Sequence, residues 1–392
     1  MTADVFIVAA RRTPIGSFQG AFAPLSAPQL GAVAIQAAVK DSTLAPAVFE
    51  EAVIGCVLQA GIGQAPGRQA VLAAGLPQHI ATTTINKMCG SGLKAMMTAS
   101  DQIRAGSANV VLAGGIESMT NAPYLLPKAR AGLRMGHSEI LDHMFFDGLQ
   151  SPFDGQMMGY FADATAKKYG FTREQQDAFA AESVRRALAA VNEGKFDREV
   201  APVTVKDRKG ERIVAKDETP FSCDISKIPS LKPAFNKDGT VTAASSSSIS
   251  DGAAAAVLVS GAALKQHNLK PLARVVGYAS HAQAPEWFTT APVGAIKALL
   301  EKTGWRADQV NLFEVNEAFA CVAMAAIHDI GLDHAKVNVN GGACALGHPI
   351  GATGARILTT LIYALKDRGL KRGIAALCIG GGEATALAVE IA

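Results

Sequence analysis

The stretch Ile374-Ala375-Ala376-Leu377-Cys378-Ile379-Gly380-Gly381 repeats the pattern of Asn109-Val110-Val111-Leu112-Ala113-Gly114-Gly115. Both are short apolar runs, of a length that suits a buried strand, and both end in a glycine turn. The likeness extends outward on either side. The glycine-led helix pattern from Gly354 to Lys366 matches that from Gly92 to Arg104, and Val310 to Val315 echoes Ala52 to Leu58. Ala291 to Lys302 echoes Ala27 to Lys40, a helix that Ser26 is placed to cap. Ala273 to Tyr278 echoes the first strand, Val5 to Ala10, and Ala384 to Ile391 echoes Ala253 to Ser260. Each half thus reads β-α-β-α-β-α-β-β. The expected fold is α/β, with two duplicated halves whose helix layers stack on two mostly buried sheets. Function is expected where equivalent strand ends of the two halves converge.

The middle layer interrupts the first half. From about Met119 to Ser248 the chain carries Pro123, Pro127, Pro152, Pro202, Pro220, Pro229 and Pro233, about half of the charged residues, and one clear helix, Arg173 to Glu193 after Thr172. The expected division is 1–118 with 249–270 as the first half, 119–248 as an inserted loop domain, and 271–392 as the second half. A chain of 392 residues, 49% hydrophobic and 18% charged with 38 glycines, is long enough for such buried layers. A formal net charge of +3 without a basic run does not point to nucleic acid, though it suits an anionic small molecule. The six cysteines form no C-x-x-C pair, which argues against zinc and a disulfide framework and for a reducing compartment. Strand-like sequence begins at Val5 and no apolar run reaches membrane-spanning length, so a cytoplasmic protein without membrane contact is expected. Gly61-Ile62-Gly63-Gln64-Ala65-Pro66-Gly67 has its third glycine misplaced for a dinucleotide fingerprint, and it reads as a structural turn.

Four constellations could carry chemistry. In Asn86-Lys87-Met88-Cys89-Gly90-Ser91-Gly92-Leu93-Lys94-Ala95, a cysteine stands at the start of a helix, where unpaired N–H groups and the macrodipole favour thiolate. Val315-Asn316-Glu317-Ala318-Phe319 places a neutral, two-way hydrogen bonder at a strand end, fit to hold a water or a carbonyl. In Asn340-Gly341-Gly342-Ala343-Cys344-Ala345-Leu346-Gly347-His348-Pro349-Ile350-Gly351, a histidine lies among glycines just before a helix, the usual base for a thiol. Leu377-Cys378-Ile379-Gly380-Gly381-Gly382-Glu383 adds a second cysteine beside backbone donors suited to an oxyanion pocket. Taken singly, each is also what a core cysteine, a buried histidine or an ordinary turn provides.

Together, in this order and spacing, the four motifs resemble the thiolase family essentially end to end, in particular its bacterial acetyl-CoA acetyltransferases. The resemblance implies the thiolase fold, layered α/β/α/β/α. It also implies acyl transfer: reversible Claisen condensation of two acetyl-CoA to acetoacetyl-CoA and CoA. Cys89 matches the nucleophile that becomes an acyl thioester. His348 matches the residue that activates it, Asn316 the holder of an oxyanion-hole water, and Cys378 the base for the second acetyl-CoA. The N–H groups of Cys89 and Gly380 match a second oxyanion hole. Leu231 to Phe235 and Ala243 to Ser248 match segments flanking the pantetheine arm, with Ser247 as the contact. Leu149, Met158, Phe235, Ala243, Phe288, Ala318 and Phe319 complete the implied substrate and coenzyme A surface. Coenzyme A enters as part of substrate and product, and neither a further cofactor nor a metal is implied. The segment Met135-Gly136 through Gly148-Leu149 resembles the one that ties thiolase dimers into homotetramers.

The chain departs from the family in four places. It has Ser245 where the family commonly has Asn, Met157-Met158-Gly159 where short-chain relatives have His-Met-Gly, and Phe288 where they often have methionine. Phe179 stands where a potassium-activated relative has a tyrosine, so no potassium dependence is expected. Loss of the histidine removes a polar group from the acyl pocket, while Phe288 adds bulk that should restrict long chains; a degradative 3-ketoacyl-CoA thiolase of broader chain length stands as the alternative. A decarboxylating ketosynthase would lack the Cys378 base. Lys227 and Lys232 are candidates for the coenzyme A phosphates.

Overall fold

The computed structural model describes residues 3–208 and 210–392. Its first half runs β1 (Val5–Arg12), α1 (Ala27–Ser42), β2 (Glu51–Gly55), α2 (Pro66–Ala73), β3 (Ala81–Ile85), α3 (Ser91–Ala105) and β4 (Val110–Ser118). The inserted layer contributes α4 (Met158–Tyr169) and α5 (Arg173–Asn192), and the chain returns to the sheet as β5 (Ser250–Ser260). The second half follows as β6 (Ala273–Ala282), α6 (Ala291–Thr303), β7 (Leu312–Val315), α7 (Ala320–Ile330), α8 (Ile350–Asp367), β8 (Arg372–Ile379) and β9 (Glu383–Ile391). Local chemistry sets the helix boundaries. At the start of α5, the Thr172 hydroxyl accepts from Gln175 N–H (3.2 Å) while the Gln175 amide oxygen accepts from Thr172 N–H (2.9 Å), a reciprocal cap. Gly106, Gly304 and Gly331 end α3, α6 and α7 in the left-handed conformation.

The strands follow the order β3-β2-β4-β5-β1 in the first half and β6-β9-β8-β7 in the second. A parallel bridge from Phe313 to Val337 takes the place of the second half's missing outer strand, so the duplication holds in topology as well as in sequence. The expected two sheets are joined into one. Phe6 pairs with Arg274 and Ile7 with Ala273, closing the β1 and β6 edges on each other instead of leaving both open. Strands β2, β3 and β4 are mutually parallel, as are β7 and β8, so within each half the ends of these strands lie along one edge of the sheet.

Helices α1 and α2 cover the outer face of the first half through Leu30, Ile35 and Val71, and α6 and α7 cover the second through Ile296, Leu299 and Val322. Between them lie α3 and α8. Their Leu93, Met96, Ile357 and Leu361 share one core with Val111 and Leu258 from one sheet half and Leu377 and Leu387 from the other. This gives the layering helix, sheet, helix, sheet, helix. Helices α3 and α8 touch backbone to backbone. A Cβ on Gly92 would lie 2.7 Å from Ala355 N, and one on Gly354 would lie 2.3 Å from Leu93 N, so neither position admits a side chain.

The inserted layer is more ordered than its composition suggests. Besides α5 it holds α4 and a hairpin of Val203–Asp207 with Gly210–Val214. Helix α4 has a weak signal because its buried face (Gly159, Phe161, Ala162, Asp163, Thr165, Ala166) mixes small and polar residues. Buried ion pairs from Arg12 of β1 to Glu199 (2.6 Å) and Asp217 (2.7 Å) fasten the layer to the sheet. Among the described residues, no helix is long and apolar enough to cross a membrane.

Candidate active site

Strand β3 ends at Ile85, and the chain turns through Asn86 to Gly90 before α3 begins at Ser91. The Asn86 side-chain oxygen accepts from Met88 N–H (2.9 Å). The Ser91 hydroxyl accepts from Lys87 N–H (2.8 Å) and donates to the Met88 carbonyl (2.7 Å). These bonds hold Met88 at φ +46°, a conformation rare for a side-chain-bearing residue. Cys89 therefore sits on a tight elbow ahead of the helix, not within its first turn. Its own N–H and that of Gly380 both favour the thiolate. The expectation of a ready thiolate is corrected here. Burial outweighs the two N–H donors and, with the nearby Glu117 carboxylate adding to it, pushes the thiol up to about 11. Resting Cys89 is a thiol, and it needs a base.

His348 has the chemistry of one. It lies in the turn before α8, 6% exposed, with Nδ1 2.6 Å from the Thr353 hydroxyl. That hydroxyl spends its only proton on the Pro349 carbonyl (2.9 Å), so Nδ1 carries the hydrogen and Nε2 keeps a lone pair. Nε2 is buried and unpaired among the described residues. Burial, and then the positive charge of buried Arg356, hold the imidazole neutral by lowering it to about 3. At the end of β7, Asn316 is held by its N–H to the Ala376 carbonyl (2.9 Å), while both of its side-chain amide atoms are buried and unpaired. Buried polar atoms are rarely left this way in a packed interior.

Cys378 is fully buried in β8, and its thiol is pushed well up by burial and then by the nearby Cys89. Gly381 (φ +95°) and Gly382 (φ +90°) turn the chain sharply after it, and the Gly380 N–H acts on the Cys89 thiol. The structure thus brings Cys89, Cys378 and Gly380 together across the halves.

Met158 Sδ lies 3.6 Å from where a Gly380 Cβ would be. The Phe235 ring covers Gly159 and meets Phe319 edge-on at 5.9 Å. Pro233 pairs with Thr242, Ser246 pairs with Phe319, and Ser247 N–H donates to the Ala318 carbonyl (3.0 Å). Ala243 is exposed on the turn between these segments. At the departure Ser245, the hydroxyl accepts from Thr242 N–H (2.8 Å) and the carbonyl from Ala320 N–H (2.8 Å), so the four-serine loop is fixed. Leu149 packs with Cys89 against Val57, Leu58 and Ile350. Phe288 is buried in the same cluster as Cys378, edge-on to Phe161 at 6.2 Å. Phe179 stacks on His334 at 4.9 Å. Lys232 is exposed, and Lys227 pairs with Asp224 at 3.2 Å.

Several residues of the site carry no role in the sequence reading. Thr353 fixes the histidine tautomer. Lys87 and Glu383, each inside a quoted motif, form an ion pair at 2.8 Å between the Cys89 elbow and the Gly380 turn. Glu317, beside Asn316, accepts from Ser183 (2.7 Å), Asn338 (2.8 Å) and Cys344 N–H (3.1 Å), tying the inserted layer to the His348 loop. Glu117 is the fifth. Only the ion pair had a signal, in opposite charges flanking two candidate motifs.

Known proteins share this architecture. The chain matches the family models "Thiolase, N-terminal domain" over residues 5–262 and "Thiolase, C-terminal domain" over residues 269–391. It is 49% identical to an acetyl-CoA acetyltransferase of Pseudomonas aeruginosa over 386 residues, 98% of each chain. It is 48% identical to one of Cupriavidus necator, over 99% of each. The crystal structure of the Bacillus anthracis acetyl-CoA acetyltransferase superposes with a TM-score of 0.98 at 42% identity, covering 100% of this chain and 99% of that one. The Acat5 thiolase of Ascaris suum in complex with coenzyme A superposes at 0.94 with 43% identity, covering 99% and 100%. With both family models matched across nearly its whole length, and the two halves folded on each other around paired cysteines, this chain belongs to the thiolase family.

Proposed function

We propose that the chain is an acetyl-CoA C-acetyltransferase that joins two acetyl-CoA into acetoacetyl-CoA and CoA, reversibly. The observation that carries the reading is that the Cys89 N–H and the Gly380 N–H both act on the Cys89 thiol, while the buried Cys378 thiol lies near enough to feel the charge of Cys89. His348 Nε2 takes the Cys89 proton, and the opposite charges so formed offset the desolvation each would bear alone. Cys89 attacks the thioester carbonyl, CoA leaves as a thiolate, and Cys378 protonates it. Cys378 is left as the thiolate, opposite a protonated His348. When a second acetyl-CoA binds, its carbonyl oxygen meets His348 Nε2–H and a water held by Asn316, and Cys378 removes a methyl proton. The enolate attacks acetyl-Cys89, and the oxyanion rests on the N–H groups of Cys89 and Gly380. Collapse releases acetoacetyl-CoA, and His348 returns its proton to Cys89. Two sulfurs are needed because one holds the acyl group while the other handles the proton.

In this reading the chain divides as 1–118 with 249–270, 119–248, and 271–392. Met158, Phe235, Ala243, Ser247, Ala318 and Phe319 line the pantetheine arm, Lys227 and Lys232 serve the phosphates, and Leu149 and Phe288 bound the acyl group. The protein acts in the cytoplasm as a homotetramer, with no metal, potassium or added cofactor. The exposed Leu133, Met135 and Ile140 beside the hairpin of Tyr124–Leu125 and Leu141–Asp142 support self-association.

Mass spectrometry after exposure to acetyl-CoA tests the division of labour. Cys89→Ala should carry no covalent acetyl group, whereas Cys378→Ala should still be acetylated at Cys89 but fail to condense. Equal loss of both steps in folded Cys378→Ala would refute the assignment. A kinetic series over 3-ketoacyl chain length tests the substrate, and strong preference for longer chains would favour the degradative alternative.

A further inference from the structure

Glu117, near the end of β4, is fully buried and lies outside the set of groups that handle substrate above. Its Oε2 accepts from Val57 N–H (3.1 Å) and Gly351 N–H (2.9 Å). Its Oε1 accepts from Leu58 N–H (3.2 Å) and has the Cys56 thiol at 3.9 Å. Val57, Leu58 and Ile350 form the apolar wall against which Cys89 and Leu149 pack. Gly351 belongs to the first turn of α8, just after His348 and Pro349. One carboxylate therefore ties the wall behind the nucleophile, built by the first half, to the turn that carries the base, built by the second. The fit has no slack. A Cβ on Gly351 would lie 2.8 Å from Glu117 Oε2 and 3.1 Å from Cys56 Cα, and one on Gly115 would lie 2.1 Å from the Gly351 carbonyl oxygen.

The titratable groups facing this carboxylate are Cys56 after β2, Cys89 on the elbow and Asp251 on β5. None is a cation, and among the described residues its hydrogen-bond partners are three backbone N–H groups and the Cys56 thiol. We propose that Glu117 is a positioning residue that locks the Cys89 wall and the His348 turn in the one alignment that lets the proton pass between them. This rests on the reading of Cys89 as nucleophile and His348 as base. Reacting groups displaced by about 1 Å can lose on the order of 10²-fold in rate, so a rigid tie between halves has a direct kinetic consequence. Glutamine in its place must turn its NH2 toward either the Val57 and Gly351 pair or Leu58, setting donor against donor and opening the tie on one side. Aspartate keeps the charge and loses the reach.

The test compares the full-length wild type with Glu117→Gln and Glu117→Asp. It reads the single-turnover rate of Cys89 acetylation by quenched-flow mass spectrometry, steady-state kcat and KM, iodoacetamide alkylation of Cys89, and the near-UV circular dichroism of each protein. In Glu117→Gln, acetylation and kcat should fall by about tenfold or more while KM for acetyl-CoA stays within about threefold, the split expected of lost alignment rather than lost binding. Alkylation should not slow, because removing a nearby negative charge eases thiolate formation. Acetylation within about twofold of wild type in folded Glu117→Gln would overturn the proposal. Failure of both variants to fold would overturn it too, assigning Glu117 to the fold alone. A wild type that gains no acetyl group on Cys89 would instead overturn the parent reading.

Discussion

Replacing Asn316 with alanine separates catalysis from stability. The side chain is 1% exposed, and both of its amide atoms lack a partner among the described residues. Its backbone bond to Ala376 at 2.9 Å survives the change. Truncation removes a few packed atoms, a loss of about 1 kcal/mol, and also removes a buried amide whose desolvation without a protein partner costs about 1–3 kcal/mol. The two oppose each other, so the net change should lie within about 1 kcal/mol, a shift in Tm of no more than about 3 °C. The reaction should suffer far more. One preorganised oxyanion donor is worth about 2.7–4 kcal/mol, so turnover should fall about 10²–10³-fold. The assay is thiolysis of acetoacetyl-CoA, followed through its enolate absorbance, beside a thermal melt of the same sample. A loss of turnover below about fivefold would show that the amide does not serve the oxyanion. A fall in Tm large enough to account for the lost activity would make Asn316 a structural residue.

Three further outcomes follow from the geometry. With Cys89 raised to about 11 and His348 lowered to about 3, neither is charged near neutrality. The alkylation rate of Cys89 in the free enzyme should then climb about tenfold per pH unit from 7 to 10, and a plateau below pH 8 would reveal a preformed ion pair instead. The Glu117 carboxyl is raised from 4.5 to about 7 by burial, so in that interval the folded chain holds a proton that the unfolded chain has lost. Its contribution to stability is present at the acid end and lost as pH rises through 7. The Tm of the wild type relative to Glu117→Gln should therefore increase from pH 8 to 5.5, and the reverse trend would refute the sign. Gly354→Ala sets a methyl 2.3 Å from Leu93 N, a backbone atom that cannot rotate away. It should cost about 1–3 kcal/mol or more in a chemical melt, and no measurable loss would mean that α3 and α8 stand further apart than described.

What the sequence disclosed follows from how the information is stored. The duplication, the buried strands and the four motifs are local patterns, and the structure places Cys89, Cys378 and Gly380 together as the repeat implied. The joining of β1 to β6 was not legible, because nothing in Phe6-Ile7 or Ala273-Arg274 specifies an edge partner. The ionisation of Cys89 is not legible, because a helix start is visible in sequence and burial is not. Thr353 and Glu117 look like an ordinary helix residue and an ordinary strand-end acid, and they acquire meaning only from partners far away in the chain. The α4 helix escaped because its buried face is paired to Phe235 and Phe288 rather than patterned for a generic core.

Strand β5 has a consequence for how the chain comes to be folded at all. It is buried along all 11 residues and lies between β1 and β4, hydrogen-bonded to both. The first half therefore has a hole in the middle of its sheet until residue 260 has been made. A nascent or proteolytic fragment ending at 248 would expose two inner edges, each an open template for another chain. The inserted layer thus has to wait with them, and a boundary that looks like the end of a domain in the sequence is not a place where the protein can be cut.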